Sequence, residues 1–232
     1  MTNAWLSKKD IYMSTLLEFE ALGQDVCCAR CEQVTPSPFR CLTCLGCTKY
    51  CQTCMVHVHC LTPFHRIVSW SQSSRCFVDT SLAVLGLILD LGPAKCCPNC
   101  TSSASTGNIT VVHTNGIHEI SARFHICSHS PSQDIQLFAF RLFPATVNSP
   151  QTAFSFELLE QFHFHHLEGK GSAYSFMNAI SRLTSDDGPR KVEVRVLCAT
   201  LLSHWYHFSG SSTGVSTCLS AVESSYLYEE SW

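Results

Sequence analysis

The stretch CARCEQVTPSPFRCLTCLGCTKYCQTCMVHVHCLTPFH, residues 28–65, decides how this chain folds. Its soft donors are spaced Cys28-x2-Cys31-x9-Cys41-x2-Cys44-x6-Cys51-x2-Cys54-x4-His59-x5-His65. A two-residue gap lets both thiolates of a knuckle turn back onto one metal, and zinc takes four ligands from thiolate sulfur and imidazole nitrogen. Three knuckles and a histidine pair therefore predict two Zn(2+) ions. Spacing leaves two divisions open. In the consecutive one, Cys28, Cys31, Cys41 and Cys44 hold one ion and Cys51, Cys54, His59 and His65 the other. In the interleaved one, Cys28, Cys31, Cys51 and Cys54 hold the first and Cys41, Cys44, His59 and His65 the second. Four protein ligands leave no coordination position for a substrate, so the zinc reads as structural and not hydrolytic. Cys27, Cys47, His57 and Cys60 are spare donors, read as free thiols and a surface imidazole.

Working outward, composition limits the rest. The 232 residues are 45% hydrophobic and 14% charged, enough apolar content for a packed core. The sixteen cysteines come largely as knuckles beside histidines, and Met1–Asp10 has no apolar core of a secretion signal. A reducing, intracellular compartment with thiolate-bound metal is the expectation. Net charge is −3, without a Lys/Arg run, which argues against a strong electrostatic grip on nucleic acid by this chain alone. No apolar run approaches the roughly 18 residues of a membrane span. No small-molecule substrate is expected.

Before the knuckles, residues 10–22 carry apolar side chains at Ile11, Leu16, Leu17, Phe19 and Leu22. This predicts a short helix, stopped by Gly23, that packs on the zinc module. After them, SLAVLGLILDLG (81–92) fits a buried helix and a buried strand equally. Cys96-Cys97-Pro98-Asn99-Cys100 is a fourth knuckle. A hairpin is predicted over 109–127, turning at Asn115-Gly116, the dipeptide best suited to a type I′ turn. It ends in His125-Ile126-Cys127, so Cys97, Cys100, His125 and Cys127 form a candidate third zinc site, with His129 as a substitute. IQLFAFRLF (135–143) reads as a strand ended by Pro144. Helices are predicted over 153–167 and 173–183. His163, His165 and His166 on the first read as solvated or core histidines. Asp186-Asp187 reads as a turn. The fold class is α+β, divided as a helical lead (1–25), a double zinc module (26–70), a cysteine-cluster domain (71–187) and a tail (188–232) with no functional reading.

Two resemblances follow from these motifs. The closing pattern Cys-x2-Cys-x4-His-x5-His resembles the B-box zinc finger, which implies the interleaved, cross-braced division. The knuckle array, PFHRI with Trp70, SLAVLGLILDLG, NGIHEI (115–120), FHIC (124–127), LFPATVNSPQTAFSF (142–156) and SRLT (181–184) together resemble the CxC-type-2 cysteine cluster beside Kyakuja-Dileera-Zisupton (KDZ) transposases, found chiefly in fungi. This likeness covers about residues 10–187. It implies a zinc-chelating accessory domain of a DNA transposase, whose RNase H-like catalytic domain usually lies further downstream and is not expected to fit here. The family's Cys-x-Cys at the hairpin end stands here as His125-Ile126-Cys127, and 190–232 departs from the family's helical continuation. The expected function is a non-catalytic, nuclear zinc module contacting DNA, the transposase or another protein. A B-box-like interaction adaptor is the alternative. An enzyme is not expected, since no Cys–His nucleophile pair or acidic metal triad is visible.

Overall fold

The computed structural model describes residues 2–23, 26–92, 103–127 and 130–184. It is α+β, and its contacts divide it into two units. The first runs to Asp90 and includes Ile120–Ala122; the second holds Leu91–Glu119 and the chain from Arg123 on.

In the first unit, α1 (Thr2–Leu6) and α2 (Lys9–Glu20) lead into a four-stranded antiparallel sheet. Its strands are β1 (Phe39–Cys41), β2 (Lys49–Tyr50), β3 (Ile67–Ser71) and β4 (Cys76–Thr80), in the order β2-β1-β3-β4. One short helix, α3 (Gln52–Val58), follows β2. The core gathers Cys41, Met55 and Ile67 with Leu82, Leu85 and Leu87. Residues 81–86 are a turn, in which Leu85 N–H donates to Ser81 O, and only β5 (Ile88–Asp90) is extended. The apolar run thus serves as a plug for the core of the first unit and then as a short strand.

The structure corrects the expected packing of the N-terminal helix. α2 buries none of its residues. It is held at its C-terminal end by polar groups instead. Arg40, only 4% exposed, donates from Nη1 to Phe19 O (2.6 Å) and from Nη2 to both carboxylate oxygens of Glu20 (2.8 and 3.0 Å). Its guanidinium lies 4.5 Å from the Phe77 ring centroid, and Lys49 Nζ donates to Ala21 O. Cations at orphan C-terminal carbonyls are favourable because those carbonyls carry the negative end of the helix dipole. The helix therefore needs no apolar face against the sheet to stay in place.

The second sheet has the order β5-β7-β6-β9-β8. β6 (Ser103–His113) and β7 (Gly116–Ile126) form the predicted hairpin, and Ile120, Ala122 and Phe124 alternate inward as a half-buried strand requires. The turn is displaced by one residue from the expectation: the loop is Thr114-Asn115, and Gly116 takes φ +140°. Ile117 N–H donates to Thr184 Oγ1 (2.8 Å), and a Cβ on Gly116 would meet that oxygen at 3.1 Å. Close approach, as much as turn type, explains the glycine.

The predicted strand over 135–143 is wrong in its first half. Residues Gln133–Ala139 form helix α4, Arg141 at φ +60° breaks it, and only Leu142–Pro144 (β8) is extended. Tertiary hydrogen bonding overrides the alternation. Gln136, buried in α4, accepts from His125 N–H and donates to His125 O and Pro131 O, so its side-chain amide acts as a strand neighbour for the end of β7. The expected helix over 153–167 also starts late. Thr152–Ser155 is strand β9, parallel to β6 and antiparallel to β8, and α5 spans Phe156–Gly169. Helix α6, Ala173–Thr184, lies where 173–183 was expected. Val112, Phe154, Leu158, Phe162, Phe176, Met177 and Ile180 form the core between sheet and helices.

Ser155 marks the change from strand to helix. Its Oγ accepts from Leu158 N–H and shares a 2.8 Å hydrogen bond with His113 Nδ1. Ser155→Ala is expected to cost about 1–2 kcal/mol, since both the cap and the imidazole's partner go. Urea unfolding of the purified variant measures it, and a change below about 0.5 kcal/mol contradicts the assignment.

Candidate metal centre

Each donor of the 28–65 stretch is placed by a local element. Cys28 and Cys31 lie in a tight turn closed by Glu32, whose N–H donates to Cys28 O and which takes φ +60°. Cys41 ends β1, and Cys44 N–H donates to its sulfur at 3.3 Å, the bond that shapes a knuckle. Cys51 is the N-cap of α3, Cys54 lies within it and His59 is its C-cap. His65 stands two residues before β3.

These positions bring together two groups. The donor atoms of Cys28, Cys31, Cys51 and Cys54 all lie within 4.8 Å of one another, and so do those of Cys41, Cys44, His59 and His65. The division is therefore the interleaved one. Strand pairing explains it: Cys41 is opposite Ile67, Leu42 N–H donates to Arg66 O and Arg66 N–H to Thr43 Oγ1, which sets His65 beside the second knuckle.

The spacings test whether a metal fits. In a tetrahedron with zinc–sulfur bonds of about 2.3 Å and zinc–nitrogen bonds of about 2.05 Å, S···S edges are about 3.8 Å and S···N edges about 3.6 Å. Cys31 Sγ and Cys51 Sγ are 3.9 Å apart. Cys44 Sγ stands 3.4 Å from His59 Nε2 and 3.3 Å from His65 Nδ1, and Cys41 Sγ 3.5 Å from His65 Nδ1. His59, 1% exposed, is further fixed because its Nδ1–H donates to Met55 O at 3.0 Å. A carbonyl can only accept, so Nε2 keeps its lone pair and aims it at the sulfurs, the second-shell arrangement that orients a metal-bound imidazole. Both groups can hold a metal ion.

Electrostatics point the same way. Burial works against a charged Cys28 thiol, but amide hydrogen bonds from Cys31, Cys51 and Arg30 outweigh it and bring its pKa to about 6. Burial first, then the neighbouring thiols of Cys51, Cys28 and Cys31, push Cys54 up to about 12. Burial and Cys41 push Cys44 up to about 11. Burial, then the nearby His59, lowers the His65 pKa below the usual imidazole range. Thiolates at this distance repel one another, and a divalent cation removes the conflict. Metal uptake must then displace protons from Cys44 and Cys54, so affinity rises with pH and falls on acidification. Competition with a chromophoric chelator between about pH 6 and 8 measures this effect, and a flat profile contradicts it.

The spare donors belong to neither group. Cys27 bridges to Val34 in the backbone, Arg30 Nη2 meets His57 Nε2 at 3.1 Å, Cys47 is half-buried and Cys60 exposed. His163, His165 and His166 are also outside both; His166 Nδ1–H donates to Gly171 O and His165 stacks near Phe176. Of the candidate third site, Cys97 and Cys100 lie outside the described residues, as do His129, Asp186-Asp187 and the tail. His125 and Cys127 are described, their amides held by Gln136 and by Ser130 Oγ. Sequence reasoning missed Arg40 and Gln136, whose roles depend on partners 20 and 11 residues away.

The elements from Leu82 to the end of α6, with their hairpin and helices, bear on family. Residues 82–188 match the CxC2 like cysteine cluster associated with KDZ transposases. The CxC2-like segment thus takes in β5–β9 and α4–α6, and both metal groups precede it, whereas the likeness read from sequence began near residue 10. No curated protein and no solved structure matches the chain. Among the described residues, no helix is long and apolar enough to cross a membrane.

Proposed function

We propose that this chain is a non-catalytic, zinc-binding accessory module of a KDZ-type DNA transposase, acting in the nucleus through contact with DNA or with a protein such as the transposase. The observation that carries it is the pair of four-donor groups directly ahead of the CxC2-like segment. Four protein donors per ion complete a tetrahedron, which suits a structural metal and leaves no position for substrate. The metal supported is zinc, by its donor set and edge lengths. When bound, it would cross-link the knuckles; the chain's own residues set the donors and keep His59 in one tautomer. Elemental analysis of the purified chain should give two zinc ions, and three would bring in Cys97 and Cys100.

DNA contact is tested by titrating transposon-end and unrelated duplexes at several salt concentrations. Preference for the transposon ends supports DNA contact, whereas equal or no binding at every salt removes it. The second reading is a B-box-like protein-interaction adaptor. Its specific support is the thin charge, −3 overall without a Lys/Arg run, which gives little grip on phosphate. Binding to a transposase catalytic domain without any DNA effect favours this reading.

A further inference from the structure

α2 presents apolar side chains where a helix normally buries them. Tyr12, Met13, Leu16 and Leu17 are 47%, 51%, 58% and 63% exposed, flanked by Trp5 and Phe19. Tyr12, Leu16 and Phe19 fall at i, i+4 and i+7, and Met13 and Leu17 run beside them, so they form one continuous stripe. Trp5 and Tyr12 rings extend the stripe onto α1, with centroids 5.8 Å apart. The Arg40 clamp grips the Phe19 carbonyl and the Glu20 carboxylate, and α2 buries none of its residues, so this face is exposed.

We propose that α2 is a homodimer interface, pairing antiparallel with α2 of a second copy. Charge placement selects that partner. Lys9 and Glu20 sit at opposite ends of the same stripe. A two-fold axis between Ser14 and Thr15 sets Tyr12 against the second copy's Leu17, Met13 against its Leu16, and Lys9 against its Glu20. The two charged residues are eleven apart, about 16 Å along the helix, so both ends of the pair close together. Glu20 keeps acceptor capacity beyond its two bonds from Arg40, because a carboxylate has about four lone-pair sites. In a parallel pair the same residues would put like charges side by side. Three aromatic rings of roughly 150–250 Å² each, 43–69% exposed, together with Met13, Leu16 and Leu17, offer at most on the order of 600 Å² per copy. That reaches the lower end of the roughly 600–1,000 Å² per partner found in stable complexes. A symmetric contact of this kind is isologous and stops at two copies.

The test is sedimentation velocity on the full zinc-loaded chain from about 1 to 200 µM, a range that reads micromolar dissociation constants. A monomer–dimer equilibrium is expected. Leu16→Glu, at a position already exposed, should raise the dissociation constant more than about tenfold by placing two carboxylates in the centre of the contact. Lys9→Glu should raise it about three- to tenfold, because it turns two attractive end contacts repulsive, and added salt should narrow that gap. Zinc content and circular dichroism report that each variant is folded. A monomer at every concentration, or a dimer indifferent to Leu16→Glu, overturns the proposal. A dimer weakened by Leu16→Glu but unmoved by Lys9→Glu overturns the antiparallel register.

Discussion

Stripping metal from the purified chain with a strong chelator is expected to unfold the first unit while the second keeps its hairpin and helices. The physical basis is the smallness of the apolar core in the first unit. Cys41, Met55 and Ile67 with three leucines are nearly all of it, and Cys41 is itself a donor. The strands of its sheet have two to five residues each. Structural zinc supplies about 10–16 kcal/mol per ion in isolated fingers, as much as the entire stability of a typical domain, about 5–15 kcal/mol. Interleaving makes the loss joint, since β1 lies between the two knuckles of the first group and α3 serves both groups. Hydrogen exchange should show protection lost across β1–β4 on chelation and kept in β6, β7 and α5. Readdition of zinc should restore it at two equivalents. Retained protection in β1 and β3 after verified metal removal would contradict the account.

The second large effect belongs to the other unit. Phe154, fully buried on β9, contacts the core formed with Leu158, Phe162 and Met177. Phe154→Ala removes a whole ring from a close-packed site and is expected to cost about 3–5 kcal/mol. Its strand is paired on both sides, parallel with β6 and antiparallel with β8, so the backbone has little room to collapse into the void. Urea unfolding followed through exchange in α5 and α6 measures the loss. Zinc content should not change. A variant that loses zinc as well as α5 protection would show that the metal groups depend on this core.

Much of the half that carries the two donor groups was legible because its determinants are local. Donor type and Cys-x2-Cys spacing are properties of a few consecutive residues, and all eight expected donors converge. How they divide was not local. It depends on β1 pairing with β3, a register set by residues 26 apart such as Cys41 and Ile67. Spacing therefore left two divisions open, and only the B-box likeness favoured the one found. In the second half the hairpin was readable from alternation and Asn115-Gly116, though the turn slid by one because Gly116 answers to Thr184 as well as to the loop. The strand expected over 135–143 failed for a related reason. Gln136 satisfies the backbone of His125, a tertiary demand that no pattern within 135–143 encodes. The apolar residues of α2 misled differently. They suggested burial, and Arg40 supplies a polar anchorage that makes burial unnecessary.

Helix α3 runs from the Cys51 cap to His59, with Cys54 given to one group and His59 to the other. A helix advances about 100° and 1.5 Å per residue. One residue inserted or deleted between Cys54 and His59 would swing the imidazole a quarter-turn off its sulfurs while leaving the amino-acid content almost unchanged. The helix is a ruler, and its length is as much a part of the donor set as the side chains it carries.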